Sequence, residues 1–205
     1  KTTPSTAEMI KYSANSLLAT LISFSNEIGN MSAAMGIDVE QVMEGVHLDR
    51  RFSPLLEENL SSGDRVQPAM LTYLAAGCGF GGSCFPKDVK ALVAHAKYKK
   101  VDTPLLDGVL SVNEKQPEEL VKLIVESASS GSKVAVLGAA FKPGTDDIRE
   151  SPTLRIIPRL LELGYRVSLH DPVAIDEAKL VFGETIDYEP NLDSAICGAD
   201  VIALV

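Results

Sequence analysis

From Ser129 onward the hydrophobic pattern changes period, and that change limits the fold more than any other feature of the chain. A loop, Ser129 to Ser132, leads into a β-branched run from Lys133 to Leu137. The helical stretch "SPTLRIIPRLLELG" follows, then the strand-like "YRVSLHDP", a helical "AIDEAKLVFG" and the strand-like "DVIALV". Short apolar strands alternating with helices demand a parallel sheet whose strands are joined by crossovers. Before this point the chain reads as helices. The expected fold class is therefore α plus α/β, with a helical part over residues 1–130 and a parallel α/β part over 131–205. The last strand runs into the last residue, early for a doubly wound sheet, so the sequence reads as a piece cut at both ends.

The helical part opens with "STAEMIKYSANSLLATLISFSNEIGNMSAAMG". Ser5 or Thr6 is the expected N-cap, with Glu8 in the first turn. Apolar residues recur at helical spacing from Ile10 through Leu17, Leu21, Phe24, Ile28 and Met31 to Met35, and Gly36 suits the C-cap. A helix of roughly 30 residues would be about 45 Å long. Its apolar residues lie on more than one face, which suits burial from both sides, one of them by a second subunit. "DVEQVMEGVH" reads as a short helix capped by Asp38, "PKDVKALVAHAKYKK" as a helix entered at Pro86, and "TPLLDGVLSVNEKQPEELVKLIVESAS" as a helix broken at Pro117.

A formal net charge of −9 argues against a nucleic-acid binder. No apolar run approaches the roughly 20 residues that span a bilayer, so no membrane partner is expected. The three cysteines, Cys78, Cys84 and Cys197, form no CxxC pair, and His47, His95 and His170 are far apart. Neither a disulfide framework nor a metal site is expected, and a reducing cytoplasm is the simplest location.

The stretch "AGCGFGGSCFPKDVKAL" carries the strongest chemical signal. A thiol becomes a useful nucleophile when its thiolate is stabilised, and helix N-termini and cations do that. Cys84 stands just before the helix entered at Pro86, and Gly79, Gly81 and Gly82 leave room for a substrate against the backbone. Asp88, on the first turn, is placed to act as a base or orient water. The alternative is a tight turn with a small residue in it. On the long helix, Lys11 and Asn15 are four residues apart and share a face, an arrangement able to stabilise an oxyanion, or simply a surface lysine beside a solvated amide. In "VAVLGAAFKPGTDDIRESPT" a strand leads through a glycine-containing loop to a helix, a geometry that binds phosphate or nucleotide. It is not GxGxxG, and no dinucleotide fingerprint occurs anywhere in the chain.

Three segments, in order, resemble the UDP-glucose/GDP-mannose dehydrogenase family. "GFGGSCFPKDVKAL" is similar to its catalytic-cysteine motif, "AEMIKYSANSLLATLISFSNEI" to the start of its central dimerisation helix, and "VAVLGAAFKPGTDDIRESP" to the opening of its C-terminal nucleotide-binding domain. The resemblance implies a helical dimerisation and catalytic-cysteine domain over 1–130, followed by a partial, Rossmann-like UDP-sugar-binding domain over 131–205. It also implies an N-terminal NAD-binding domain that the sequence does not contain.

The family oxidises C6 of a nucleotide sugar to the carboxylate with two NAD. By this resemblance Cys84 adds to the aldehyde as a thiohemiacetal, oxidation gives a thioester, and water hydrolyses it. Lys11 and Asn15 match the oxyanion-stabilising, water-positioning pair, and Asp88 the carboxylate that works with Lys11. Phe80, Gly81, Gly82, Lys87, Phe141 and Lys142 match sugar-nucleotide contacts, and Cys84, Lys87 and Arg149 are implied as cofactor contacts. Arg51 resembles an arginine that reaches a neighbouring active site, and the long helix Thr6–Met35 implies a homodimer.

Two departures stand out. "FS" replaces the usual "IG" after Arg51, and the segment Ser53–Leu74 reads as an insertion. Phe85 in "SCFPKD" favours UDP-glucose over GDP-mannose, where leucine is expected. dTDP-glucose, N-acetylated sugars and a non-catalytic binding module remain alternatives. A β-hydroxyacid dehydrogenase, which also uses a Lys-x-x-x-Asn helix, needs no cysteine. Alone, this chain is expected to turn nothing over.

Overall fold

The computed structural model describes residues 1–53 and 68–205. The chain packs as two compact units, residues 1–77 and 78–205. Most of the segment expected as an insertion, residues 54–67, lies outside the described residues.

In the first unit, α1 (Pro4–Met35) is followed by α2 (Val39–His47) and a 3₁₀ turn, Ala69–Tyr73. The N-cap of α1 is Thr3 rather than Ser5 or Thr6: its side chain accepts from the Thr6 amide, and Pro4, which has no N–H to satisfy, takes the first helical position. Gly36 closes the helix in the left-handed conformation and Asp38 caps α2, both as expected. The buried face of α1 is small and polar, with Ser16, Ala19, Ser23, Ser25, Asn26 and Ser32. Its large apolar residues Ile10, Leu17, Phe24 and Met31 are each at least half exposed and recur every seven positions. Among the described residues, this unit's core gathers Met43, Leu71 and Leu74, and Asn26 Oδ1 secures the end of the unit by accepting from the Gly77 amide at 2.7 Å.

The second unit begins with α3 (Phe85–Tyr98) and α4 (Pro104–Ser127). The expected break at Pro117 does not occur; α4 runs through it. Pro117 is buried, and on the same turn Arg155 donates to the Glu114 carbonyl at 3.2 Å, adding a tertiary bond beside the proline. The sheet is parallel, with β1 (Lys133–Leu137), β2 (Arg166–His170), β3 (Asp187–Tyr188) and β4 (Val201–Leu204) in the order β3-β2-β1-β4. The crossovers contain α5 (Thr153–Glu162), α6 (Ile175–Phe182) and α7 (Leu192–Ile196). The core is built from Val134, Val136, Val167, Leu169 and Ala203 on the strands with Ile156, Ile157 and Leu160 of α5 and Val121 and Ile124 of α4. The short β3 and α7 were not apparent in the sequence, being too brief to show a period.

Strand order runs outward from β1 to β2 and β3, then reverses to β4. That reversal opens a crevice at the carboxyl ends of β1 and β4, where open parallel sheets bind ligands.

Candidate active site

At that crevice lies a cavity of about 490 Å³. Its walls come from the ends of three strands (Leu137 and Gly138, His170 and Asp171, Leu204 and Val205) and from Phe141 and Lys142 in the loop after β1. Cys78 and Gly79 close one side. Burial pushes the Cys78 thiol up to about 11, so it is protonated near neutrality and is no nucleophile.

The loop after β1 is shaped by a buried carboxylate. Asp171 accepts four backbone N–H groups: Ala139 and Ala140 on one oxygen, at 2.8 and 3.1 Å, and Val173 and Ala174 on the other, both at 2.8 Å. Burial alone would raise its pKa, but these four donors together hold it below the usual carboxylate range. Thr153 adds a bond from its hydroxyl to the Gly138 carbonyl at 2.8 Å. The turn is thereby fixed at both ends.

Cys84 is exposed and occupies the N-cap of α3, and the Asp88 amide donates to its carbonyl at 2.9 Å. The loop before it is held from two sides. Asn113 of α4 accepts from the Phe80 amide at 2.7 Å and donates to the Phe80 carbonyl at 3.0 Å. The Gly82 amide donates to the Arg149 carbonyl at 2.8 Å. Phe80 is buried and meets Phe85 edge-on at 6.1 Å. The glycines are needed for contact. A Cβ on Gly81 would strike the Glu150 carbonyl, and one on Gly82, whose φ is +79°, would lie 2.6–2.9 Å from the Phe141 ring. Gly82→Ala is therefore expected to cost about 2 kcal/mol or more, from left-handed strain plus overlap. A thermal melt within a degree of the parent's would show that the loop has room to adjust.

The two loops thus bring Phe80, Gly81, Gly82 and Cys84 beside Phe141 and Arg149, with Lys87 and Asp88 on the first turn of α3. Asp88 is fully buried and paired with the Lys87 ammonium at 2.5 Å. Arg149 makes a two-pronged pair with Asp147, at 2.9 and 2.7 Å, and the hydrogen bonds from Arg149 bring Asp147 down to about 2. The exposed Lys142 ammonium lies 5.5 Å from the Phe141 ring centre.

The remaining expected site residues belong to the first unit. Lys11 and Asn15 stand one turn apart on α1, Lys11 exposed and Asn15 half-buried. Arg51 follows α2 and is locked to Asp49 at 2.9 and 2.6 Å. Asn113, Asp171 and Thr153 were not singled out from the sequence. An Asp directly after a predicted strand was the only available signal, and "HDP" carried it.

The described residues do not form a dinucleotide site. In such sites an acid after the second strand takes the ribose hydroxyls. Here Asp171 is in that place and both of its oxygens are committed to backbone amides. Among the described residues there is also no cluster of His, Cys, Asp or Glu able to hold a metal ion, and no helix long and apolar enough to cross a membrane.

Comparison with known proteins gives two family-model matches. Residues 5–115 match the central domain of the UDP-glucose/GDP-mannose dehydrogenase family, and residues 135–205 match its UDP binding domain. The UDP-glucose 6-dehydrogenase TuaD of Bacillus subtilis is 41% identical over 207 residues, covering all of this chain and 41% of the relative. A GDP-mannose 6-dehydrogenase of Pseudomonas putida is 39% identical over 210 residues, covering 97% of this chain and 44% of the relative. A UDP-glucose dehydrogenase structure from Pyrobaculum islandicum superposes with a TM-score of 0.83 at 37% identity, covering 98% of this chain and 44% of that one. The chain thus spans about two-fifths of the length of the relatives it matches.

Proposed function

Because the chain belongs to the UDP-glucose/GDP-mannose dehydrogenase family, we propose that it forms the thiol-bearing and nucleotide-sugar-binding part of an NAD-dependent UDP-glucose 6-dehydrogenase. The observation that carries this reading is the docking of the Cys84 loop on the loop after β1, beside the cavity at the switch point of the sheet. In this reading residues 1–130 supply the dimerisation helix and the thiol, and residues 131–205 hold the nucleotide. NAD, when bound, would supply the oxidant for the two oxidations.

The chain's own residues do the covalent work. The Cys84 thiolate adds to the C6 aldehyde: a C–S bond forms, and the carbonyl π pair moves to oxygen. Lys11 and Asn15 stabilise that oxygen, and Asp88 with Lys11 handles the protons of addition and of the final hydrolysis. Phe80, Gly81, Gly82 and Lys87 position the sugar, while Phe141 and Lys142 hold the diphosphate end. Arg51 serves a neighbouring subunit's site, and Arg149, with Lys87 and Cys84, approaches the cofactor. Three free thiols suit a reducing cytoplasm.

The test is stoichiometric. Two NADH per UDP-glucose, formed by the polypeptide carrying these residues, is the expected result. One NADH, or none, would remove the double oxidation. A second reading, GDP-mannose as substrate, has support in the 39% identity to a GDP-mannose 6-dehydrogenase; turnover of that sugar in preference to UDP-glucose would establish it.

The same reading makes the chain a homodimer through α1. The exposed row Ile10, Leu17, Phe24 and Met31 is the surface such a partner would cover. Phe24→Glu is expected to halve the mass measured by light scattering. A mass already monomeric in the parent would end this reading of the helix.

A further inference from the structure

We propose that Asn113 is a positioning residue of the reaction: it sets the backbone of Phe80, and through it the place of the Cys84 thiol, so that the aldehyde is captured before it escapes. This rests on the reading of Cys84 as nucleophile.

Asn113 stands in the interior of α4, where asparagine is a poor helix former. Its side chain is given to a single residue 33 positions earlier: Oδ1 accepts from the Phe80 amide at 2.7 Å, and Nδ2 donates to the Phe80 carbonyl at 3.0 Å. Both backbone groups of Phe80 are thereby bonded to one planar amide, which fixes the local backbone as a neighbouring strand would. A carboxylate of the same shape keeps the acceptor and loses the donor. The approach is close. A Cβ on Gly79, whose φ is +101°, would lie 2.6 Å from Asn113 Oδ1.

Phe80 passes this constraint to both sides of the thiol. Along the chain it is followed by Gly81 and Gly82, which have no side chains to hold them, and the Gly82 amide donates to the Arg149 carbonyl. Across space the buried Phe80 ring meets edge-on the ring of Phe85, the residue after Cys84. The exposed sulfur is carried by the backbone between these fixed points. Asn113 itself stands behind the loop, on a cleft of about 20 Å³ shared with Pro117, Ser151 and Arg155, which has room for a water and not for a sugar. It therefore acts through Phe80 and not on substrate.

The consequence is a partition of the aldehyde. The first oxidation needs no thiol, whereas the second waits on addition of Cys84. A thiol displaced by about 1 Å adds on the order of 10²-fold more slowly, and the aldehyde leaves instead.

The experiment uses an NAD-competent polypeptide carrying these residues, with UDP-glucose and a hydrazide probe for free aldehyde. Asn113→Asp and Asn113→Leu, each assayed well below its melting temperature, are expected to lower carboxylate formation about ten-fold or more. NADH per sugar should move from two towards one, with aldehyde delivered to the probe. KM for UDP-glucose should change by less than about three-fold, because the nucleotide end is held by residues 131–205. Backbone hydrogen exchange over residues 80–84 should quicken in both variants. A structural role alone would lower the melting temperature and leave the partition as it is in the parent. Carboxylate formation within about two-fold of the parent's in either folded variant, with no aldehyde released, overturns the proposal, as does failure of both variants to fold. Two NADH per sugar from the parent beside unchanged variants removes Asn113 alone. One NADH or none from the parent removes the double oxidation and this proposal with it.

Discussion

In an NAD-competent polypeptide carrying these residues, Cys84→Ala is expected to lower carboxylate formation from UDP-glucose by roughly four orders of magnitude or more, the scale on which a covalent nucleophile is lost. The reason lies in the second oxidation. An aldehyde has no leaving hydride until a nucleophile has added to its carbon, and the thiol does this while keeping the intermediate bound. Without it the site depends on hydration of the aldehyde by free water. Cys84 is exposed and makes no cap hydrogen bond through its side chain, so the loss would be chemical and not structural. The substituted chain should melt within about 0.5 kcal/mol of the parent, as surface changes usually do. The decisive assay counts NADH per sugar beside the melt. Activity retained within ten-fold would make Cys84 a residue of a tight turn, and the reading of the glycine loop would fall with it.

Asp171→Asn should have the largest effect on stability. Four backbone donors converge on the carboxylate, two on each oxygen. An amide can offer only one oxygen, so either orientation sets its NH₂ against two buried N–H groups. The cost is about 3 kcal/mol, from lost charge-assisted bonds and stranded donors. The same carboxylate gives stability a pH limb. Its folded pKa is lowered, so the unfolded chain holds the proton more tightly; the stabilisation is complete above the unfolded value, about pH 4, and is lost as pH falls through the lower folded value. Denaturant melts from pH 7 to pH 3 should show this acid limb in the parent and a flatter one in Asp171→Asn. Equal stabilities at pH 7 would mean that the β1 loop is held by something other than Asp171.

Much of the fold could be read from local signals. The strand and helix alternation after Ser129 required a parallel sheet, and Gly36 and Asp38 marked helix ends because caps are chosen by residues one to three positions away. Local signals failed where a tertiary contact outweighed them. Pro117 reads as a break, yet α4 continues through it with Arg155 bonded at the same turn. Thr3 captured the cap because Pro4 fitted the first helical position better than any alternative start.

The candidate site divides in the same way. The residues proposed to perform chemistry stand out in the sequence because reactivity restricts residue type and spacing: a thiol at a helix start, a carboxylate on the next turn, a lysine and an amide four apart. The residues that hold the site do not. Asn113 grips Phe80 from 33 positions away, Asp171 gathers amides 32 positions back, and Arg149, expected only as a cofactor contact, meets the cysteine loop through its carbonyl. By itself the sequence marked the groups proposed to react and most of the segments that form strands and helices, since both depend on neighbours along the chain. The tertiary structure alone decided which loops touch and which carboxylate anchors them, because backbone amides and carbonyls are common to all residues and only folding selects among them.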